Sequence, residues 1–316
     1  MAATQASVDW SRDGFVLSAE QRQCYEKNGY IIVKNCVSKA ELDRYVERFK
    51  ELCSDPAQRT PGMTVMRDVT LCKNGDFSPN ETNVTKIQNW QDDPILYDYC
   101  RTPAIVNVLR DLIATPSAPN LVSMHTMLIN KPPDTGSLTS RHPMHQDLYY
   151  FPFRPAEFIA CAWTAMEKMS RANGCLVVVP GSHKGPLHPH QQPEWEKVNK
   201  AYHGIQNFDP NMPRTYVEME AGDTVFFHPL IIHGSGANKT KGYRKAISCH
   251  YANDDLCGYV NIDDVMSAEI KEDIIVLAKA NMKKFMDADA VAAYEVDMAE
   301  LWRLRARAVN GTKSNL

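Results

Sequence analysis

The sequence lacks any stretch that approaches the roughly 18 consecutive apolar residues of a transmembrane helix, so we predict no membrane span. It also lacks an excess of positive charge, because 35 Lys and Arg residues stand against 38 Asp and Glu residues, for a formal net charge of −3. Proteins that bind nucleic acid usually carry a strong basic field. We therefore predict no nucleic-acid partner, although a local basic patch around an anionic small molecule remains compatible with this composition.

Paired cysteine motifs are missing as well. The nine cysteines are an odd number without C-x-x-C spacing, in a chain of 316 residues that needs no disulfides to form a core. We predict reduced thiols in an intracellular compartment. The first nine residues lack the basic and long apolar regions of a secretory signal. There is no internal repeat, and the length predicts one large catalytic domain over residues 1–316.

The pattern changes twice along the chain. Residues of about 15–115 are predicted to be a helical scaffold, in which Ser18 and Ser38 each begin a helix. Residues 54–84 are polar and are predicted to be a long loop. Helical spacing of apolar residues returns over about 264–306.

Between these parts, from about 120 to 255, short apolar runs alternate with turn residues, which is typical of strands. We predict a mainly β fold, a double-stranded β-helix or jelly roll, with flanking N- and C-terminal helices. Residues 184–213 are predicted to be a long insertion, either a lid or a solvated loop. The predicted core strands are Leu121 to Ile129, Ile159 to Met166, Cys175 to Val179, Thr215 to Met219, Thr224 to His228 and Ala246 to Ala252.

Three residues of this core have the composition of a metal site. If residues 143–149 form a strand, then His145 and Asp147 project to the same face. His233 lies 88 positions further on, in another strand-like run. Two imidazoles and one carboxylate form the facial triad that binds Fe(II) and leaves open positions for a co-substrate and dioxygen. His-x-Asp alone is common by chance, so the surrounding residues carry part of this prediction.

Two polar residues follow the second histidine. Arg244 is predicted to begin a strand that runs back beside His233, where its guanidinium could pair with a carboxylate of a bound 2-oxo acid. Ser235, two residues beyond His233, would add a hydroxyl on the same face. By themselves, Arg244 and Ser235 are also compatible with a surface arginine and a turn serine.

Longer motifs are more specific than these single residues. They are Gly62 to Val69, Met124 to Asp134, Thr139 to Pro155, Cys161 to Glu167 and Gly222 to His250. In these motifs the chain resembles the phytanoyl-CoA dioxygenase family of iron and 2-oxoglutarate oxygenases, over most of residues 15–315. The resemblance implies Fe(II) as cofactor, 2-oxoglutarate and O2 as co-substrates and ascorbate as reductant.

The same resemblance implies roles for eight residues, all present here. His145, Asp147 and His233 would bind iron, and the residues around 2-oxoglutarate would be Lys86, Met127, Trp163, Ser235 and Arg244. From the residues alone, Lys86 would be interpreted as a solvated lysine, and Met127 and Trp163 as core. The other histidines that we weighed are predicted to be satisfied structural residues: His125, His142, His183, His228 and His250.

For the substrate, the resemblance implies phytanoyl-CoA, a branched acyl-CoA hydroxylated on its α carbon in fatty-acid alpha-oxidation, with succinate and CO2 as co-products. The aromatic run of residues 149–153 would line a slot for the acyl chain or belong to the core. Lys131, Arg141, Arg154 and Lys184 would meet coenzyme A phosphates or be solvated surface charges. The alternatives are a hydroxylase of another acyl-CoA or small metabolite, and a non-catalytic acyl-CoA or lipid carrier.

Localisation follows from the resemblance as peroxisomal, with a cytoplasmic location as the alternative. The family's N-terminal import nonapeptide is not seen at the start of this sequence. The C-terminal Ser314-Asn315-Leu316 is similar to the Ser-Lys-Leu signal but lacks its basic middle residue. No particular oligomeric state is predicted.

Overall fold

The computed structural model describes residues 8–67, 78–136, 138–195, 199, 202–283 and 286–311. Cys72 and the C-terminal tripeptide Ser314 to Leu316 lie outside the described residues. The eight cysteines inside these ranges are free thiols, as predicted. Within the same ranges no helix combines the length and the apolarity that crossing a membrane requires.

The helices lie before and after the strand-rich core, as predicted. Two of them begin with a capping box, in which the hydroxyl of Ser18 or Ser38 accepts from the backbone N–H three residues on. The side chains of Gln21 and Glu41 accept from the serine N–H in return. In the described ranges the helices are α1 (Ala19–Asn28), α2 (Lys39–Ser54), α3 (Pro103–Ile113), α4 (Ile262–Val265), α5 (Ala268–Met282), α6 (Ala288–Ala293) and α7 (Met298–Arg303).

The strands form two main antiparallel sheets. The strands are β1 (Tyr30–Val33), β2 (Thr64–Met66), β3 (Lys86–Gln88), β4 (Leu121–Lys131), β5 (His142–His145), β6 (Phe153–Arg154), β7 (Ile159–Ala165), β8 (Leu176–Val178), β9 (His190–Gln191), β10 (Gly204–Ile205), β11 (Thr215–Val217), β12 (Thr224–Phe227), β13 (His233–Ser235), β14 (Arg244–Asn253), β15 (Gly258–Tyr259) and β16 (Arg307–Asn310). The larger sheet has the order β1-β12-β7-β14-β4-β3-β2, with β16 paired to β4, and the smaller has the order β11-β8-β13-β5. This is the predicted jelly roll.

Strand alternation gives the larger sheet two apolar faces. In β7, Ala160 and Ala162 share a cluster with Tyr45 of α2, so this face packs on the N-terminal helices. Cys161 and Trp163 point the other way and pack with residues of the smaller sheet. The inner faces of the two sheets therefore enclose the space in which the candidate site lies.

One region differs from the prediction. Residues 54–84 are not one loop, because β2 lies within them and joins β3 at the edge of the larger sheet. Residues 68–77 lie outside the described part of the chain. The helices predicted over about 264–306 are present, and the short strand β16, which pairs with β4, follows them without having been predicted. Strands of three or four residues carry too little periodicity for the sequence to reveal them.

Candidate active site

Two neighbouring strands of the smaller sheet bring the candidate histidines together. β5 and β13 run antiparallel with His145 directly opposite His233, and the two ring centroids are 4.2 Å apart. Opposed positions on adjacent strands are among the closest contacts in a sheet. Strand pairing therefore brings together two histidines that are far apart in the sequence.

The carboxylate of Asp147 completes this group. Oδ1 of Asp147 lies 3.2 Å from Nε2 of His145, and Oδ2 lies 3.6 Å from Nε2 of His233. All three side chains are buried, and one ligand atom from each lies within 4.8 Å of the other two. The structure thus brings together the three residues that the sequence singled out.

Asp147 reaches this position by a different route from the predicted strand over residues 143–149. β5 ends at His145, and Asp147 begins a 3-10 turn. The backbone turns here because the N–H of Leu148 donates to the carbonyl oxygen of Pro229 at 3.0 Å. The expected strand was wrong, although the two side chains do converge.

The orientation of the two imidazoles fits a metal ion. Nδ1 of His145 lies 2.9 Å from the carbonyl oxygen of Pro143, and Nδ1 of His233 lies 3.1 Å from that of Ile231. Because a carbonyl oxygen only accepts, each Nδ1 carries a proton and the Nε2 of each ring faces Asp147. Metal-binding histidines typically make this second hydrogen bond. Two such nitrogens and one carboxylate are the donor set that suits Fe(II).

The charges of Asp147 and His233 are also those that a metal requires. Burial by itself would raise the pKa of Asp147, but the nearby imidazoles of His233 and His250 and the hydrogen bond from His250 hold it well below its usual range. Burial lowers the pKa of His233 to about 4. At neutral pH the site therefore presents a carboxylate and a neutral imidazole, both able to bind a cation.

A further histidine, which the sequence analysis interpreted as structural, contacts the same carboxylate. Nε2 of His250 lies 2.7 Å from Oδ2 of Asp147, and with Cys161 these residues form a second group of close ligand atoms. Burial raises the pKa of the Cys161 thiol well above its usual value, so this sulfur stays protonated and is a poor ligand. Nδ1 of His250 has no hydrogen-bond partner among the described residues, which places its proton on Nε2. His250 therefore donates to Asp147 and orients it.

The remaining histidines that we weighed make ring contacts or hydrogen bonds to the backbone. His142 stacks on His145 with centroids 4.2 Å apart, and His125 stacks on His250 at 5.6 Å. Across the described residues, one buried ring nitrogen in each of His125, His142 and His183 lacks a hydrogen-bond partner. The prediction of satisfied structural histidines therefore fails for one nitrogen in each of these three rings, whereas Nδ1 of His228 accepts from the backbone N–H of Leu230 at 3.1 Å. Two of the three rings form part of the wall of the site, next to its candidate ligands.

Part of the described insertion of residues 184–213 packs on the site, so the described residues are not solvated throughout. The backbone N–H of Gln146 donates to Nε2 of His190 at 3.0 Å, and Tyr202 stacks on His142 at 4.2 Å. Residues 196–198, 200 and 201 lie outside the described part. The described part of the insertion thus covers one side of the candidate ligands.

A cavity of about 390 Å³ opens beside these residues. All eight residues chosen from the sequence line it, including Lys86, Met127 and Trp163. Nζ of Lys86 lies 5.1 Å from the ring centroid of Tyr202, and burial lowers the pKa of this lysine to about 8, although the charge of Asp147 opposes the shift. Lys86 is therefore a buried cation that faces the candidate ligands, and not the solvated lysine that the sequence alone suggested.

One end of the cavity is cationic. Arg244, 2% exposed, donates from Nη2 to the carbonyl oxygen of Gly174 at 2.8 Å, whereas its Nε and Nη1 have no partner among the described residues. Gly174 has φ of +75°, and a Cβ there would lie 2.6 Å from the Gly236 carbonyl oxygen, so a side chain would disturb this anchor. Burial lowers the pKa of Arg244 to about 10, which leaves it charged at neutral pH. Burying a cation with unpaired hydrogen-bond donors costs free energy unless an anion accepts from those donors.

The strand that carries Arg244 lies elsewhere than predicted. β14 is in the larger sheet between β4 and β7, while His233 is in the smaller sheet. Arg244 therefore reaches the cavity from the sheet opposite the histidine and not from an adjacent strand. The guanidinium carbon lies 5.3 Å from the ring centroid of Trp163, which supports it from the next strand.

Lys131 stands beside this arginine, directly opposite it on β4. Its Nζ donates to Oγ of Ser235 and to the carbonyl oxygen of Gly236, each at 2.7 Å. Burial, and then the charge of Arg244, hold the pKa of Lys131 well below its usual range. Lys131 was considered as a phosphate contact or a solvated charge. The structure instead places it in the cavity lining, 5% exposed, at the end that contains Arg244.

The opposite end of the cavity is apolar. Tyr150 and Phe151 of the aromatic run line it, whereas Phe153 belongs to the core. The apolar side chains that the C-terminal helices contribute are Ile270, Ile274, Leu277, Ala278, Met282, Leu301 and Trp302. The sequence analysis missed these residues because a helix that faces a cavity has the same spacing as one that faces a core.

The other candidate phosphate contacts have partners within the protein. Lys184 pairs with Glu26 at 3.0 Å on the surface, and Arg154 donates to the carbonyl oxygens of Phe151 and Phe153. The guanidinium of Arg141 lies 3.6 Å from the ring centroid of Trp195. None of these three lines the cavity.

Solved structures share this fold. EctD from S. alaskensis, crystallised with 2-oxoglutarate and 5-hydroxyectoine, aligns with a TM-score of 0.59 at 17% identity, over 80% of this chain and 82% of that chain. The epimerase SnoN, in complex with Fe3+, alpha ketoglutarate and nogalamycin RO, aligns with a TM-score of 0.57 at 20% identity, over 77% and 85%. A jelly roll that encloses two histidines and an aspartate is typical of non-haem Fe(II) oxygenases, and this is the class that the fold and the site together define.

Sequence comparison identifies the family within that class. The profile of the phytanoyl-CoA dioxygenase family matches residues 25–246, so the chain belongs to that family and is a dioxygenase. A probable phytanoyl-CoA dioxygenase of Caenorhabditis elegans is 58% identical over 311 residues, 98% of each chain. The peroxisomal phytanoyl-CoA dioxygenase of Homo sapiens is 48% identical over 308 residues, 97% of this chain and 87% of the human protein. Family membership confirms an enzyme and argues against the non-catalytic carrier.

Proposed function

We propose that this protein hydroxylates the α carbon of phytanoyl-CoA, or a closely similar branched acyl-CoA, to the 2-hydroxyacyl-CoA. The co-substrates are 2-oxoglutarate and O2, the co-products are succinate and CO2, and the reaction belongs to fatty-acid alpha-oxidation. The observation that carries the proposal is identity of 47–58% to phytanoyl-CoA dioxygenases over nearly the whole chain. The cavity, cationic at one end and apolar at the other, suits two such different molecules.

His145, Asp147 and His233 would hold Fe(II), which supplies dioxygen activation coupled to decarboxylation of the 2-oxo acid. The hydrogen bonds from the two Nδ1 atoms to backbone carbonyls keep the rings in the metal-binding tautomer. His250 fixes the rotation of the carboxylate. Ascorbate would act as the reductant that keeps the iron ferrous.

The cationic end would bind 2-oxoglutarate. Arg244 offers two unpaired donors to its distal carboxylate, and Ser235 offers a hydroxyl held in place by Lys131. Met127 and Trp163 provide apolar walls that exclude water around this carboxylate. Lys86 adds a positive charge on the side that faces Asp147.

Anaerobic reconstitution tests the assignment directly. Protein mixed with Fe(II) and 2-oxoglutarate should develop a weak visible charge-transfer band, and admitting O2 with phytanoyl-CoA should release succinate and 2-hydroxyphytanoyl-CoA in equal amounts. An unrelated straight-chain amino acid serves as the control substrate. Succinate release that no acyl-CoA stimulates would refute the substrate assignment, and absence of the band would refute the site.

Localisation is proposed to be peroxisomal, because the rat and human relatives are named peroxisomal. A fluorescent fusion should coincide with a peroxisomal marker and become diffuse when Ser314, Asn315 and Leu316 are deleted. Coincidence that survives the deletion would assign import to another segment, and a diffuse full-length fusion would favour the cytoplasmic alternative.

A further inference from the structure

Three aromatic rings are stacked on one another beside the candidate ligands. The ring of Tyr202, from the insertion, lies parallel to that of His142, with an interplanar angle of 4° and centroids 4.2 Å apart. The ring of His142 lies parallel to that of His145 at an angle of 5°, again with centroids 4.2 Å apart. Parallel rings in contact attract each other, and each contact restricts the rotation of both rings. The stack therefore ends on a candidate ligand of the iron.

The stack restrains a motion of His145 that its hydrogen bond leaves open. Nδ1 of His145 lies 2.9 Å from the carbonyl oxygen of Pro143. This single hydrogen bond fixes the direction of Nδ1 but permits the ring to rotate about the bond. The face of His142 against the ring opposes that rotation, which would carry Nε2 away from its position 3.2 Å from Oδ1 of Asp147.

The same tyrosine also contacts Lys86. Nζ of Lys86 lies 5.1 Å from the ring centroid of Tyr202. Cations are attracted to an aromatic face within about 6 Å of its centroid. Lys86 lines the cavity and is 8% exposed, and across the described residues its Nζ has no ion pair and no hydrogen bond. The contact with Tyr202 is therefore the interaction that holds this ammonium group in place.

The backbone next to Tyr202 is tied to the body of the protein. The N–H of His203 donates to Oη of Tyr150 at 3.1 Å, and Nε2 of His203 lies 3.2 Å from Oδ2 of Asp273 on α5. The ring of Tyr150 lies edge-on to that of His145, with centroids 6.3 Å apart. His203 is only 2% exposed. These contacts fix the position from which Tyr202 reaches the site.

Resting on the proposed function, we propose that Tyr202 is a positioning residue for both parts of the co-substrate site. Through His142 it orients the imidazole of His145 toward the metal ion. Directly, it places the ammonium group of Lys86 for 2-oxoglutarate. Both contacts use the face of the ring, so phenylalanine can replace the tyrosine, whereas leucine cannot.

Two dissociation constants test this role: that of Fe(II), by anaerobic metal titration, and that of 2-oxoglutarate, from the visible charge-transfer band at saturating Fe(II). Tyr202→Leu should raise each constant by about threefold to tenfold, the range that one aromatic or cation–π contact contributes. The charge-transfer band should also shift in wavelength, because the orientation of a ligand changes. Tyr202→Phe should retain most of both affinities.

A second pair of variants separates the two contacts. His142→Leu interrupts the stack but leaves Tyr202 against Lys86. It should weaken Fe(II) binding about as much as Tyr202→Leu, with a clearly smaller effect on 2-oxoglutarate. His142→Phe restores an aromatic ring and should recover most of the Fe(II) affinity. If Tyr202→Leu does not fold, this pair decides the same question for the metal.

The control is Tyr216→Leu, the same exchange at a tyrosine that is 41% exposed and lies 4.5 Å from the guanidinium of Arg171, outside the cavity. Both constants should stay unchanged. Unaltered constants in Tyr202→Leu, or equal losses in Tyr202→Phe and Tyr202→Leu, would overturn the role of the ring while leaving the proposed function intact. If the unaltered protein binds neither Fe(II) nor 2-oxoglutarate, the proposed function fails, and the role of Tyr202 fails with it.

Discussion

Replacing Asp147 by alanine is expected to abolish turnover and to weaken Fe(II) binding by more than 100-fold. Loss of an outer hydrogen-bond partner typically costs about 10- to 100-fold in metal affinity, and loss of a ligand should cost more. Asp147 is the anionic member of the group, with a pKa held well below its usual range. Without it, only two imidazoles remain to bind the metal. Anaerobic metal titration and succinate release measure the two effects.

A variant of the adjacent histidine provides the matched comparison. His250→Phe removes the hydrogen bond to Oδ2 of Asp147 but keeps an aromatic ring against His125. Its metal affinity should fall by about 10- to 100-fold, clearly less than for Asp147→Ala. If Asp147→Ala retained turnover, the ligand assignment would be wrong. If His250→Phe were the more damaging change, His250 would be a ligand.

Replacing Arg244 by lysine is expected to raise the KM for 2-oxoglutarate by about 10- to 100-fold, because hydrogen bonds to charged groups are lost. The guanidinium is anchored through Nη2 on Gly174, which leaves Nε and Nη1 free to bind a carboxylate together. The ammonium group of a lysine is a single point charge, so it cannot both bond to the Gly174 carbonyl and bind a carboxylate through two fixed donors. Steady-state kinetics should show a larger change in KM than in kcat.

Lys245 offers the control exchange one position further along β14. Its Nζ pairs with Glu81 at 3.3 Å and it does not line the cavity. Lys245→Arg should therefore leave the KM for 2-oxoglutarate unchanged. An Arg244→Lys protein with unaltered KM would show that this arginine supports the fold and does not bind the co-substrate.

The jelly roll and its flanking helices were predictable because their signals are local. Serine caps start α1 and α2, and β4, β7 and β14 are long enough to show their apolar character. The short strands β2 and β16 were not predictable, since three or four residues contain less than two full alternations. They join the sheet because the ends of β4 and β3 leave hydrogen-bonding edges for them.

The candidate ligands were predictable by residue type, but their arrangement was predicted for a partly wrong reason. A strand was expected to align His145 with Asp147, whereas a turn after β5 brings the carboxylate round. Similarly, Arg244 reaches the cavity from the opposite sheet and not from beside His233. The spacing of residues along a chain indicates which side chains share one face of a strand. It does not indicate which strands become neighbours in the folded sheet.

The sequence by itself determined the kind of chemistry: two histidines, an aspartate and an arginine in strand-like surroundings, with motifs that place the chain in its family. Tertiary structure alone decided which groups support them. His250 bonds to Asp147, Lys131 holds Ser235, and Arg305 lines the far end of the cavity. His250 and Asp147 are 103 positions apart, Lys131 and Ser235 are 104 apart, and Arg305 is 160 and 158 positions from His145 and Asp147. Pattern reasoning over a single chain covers only a few turns or strands. Burial strengthens these interactions, because an unpaired charge that has lost its water is stabilised only by a partner in the cavity.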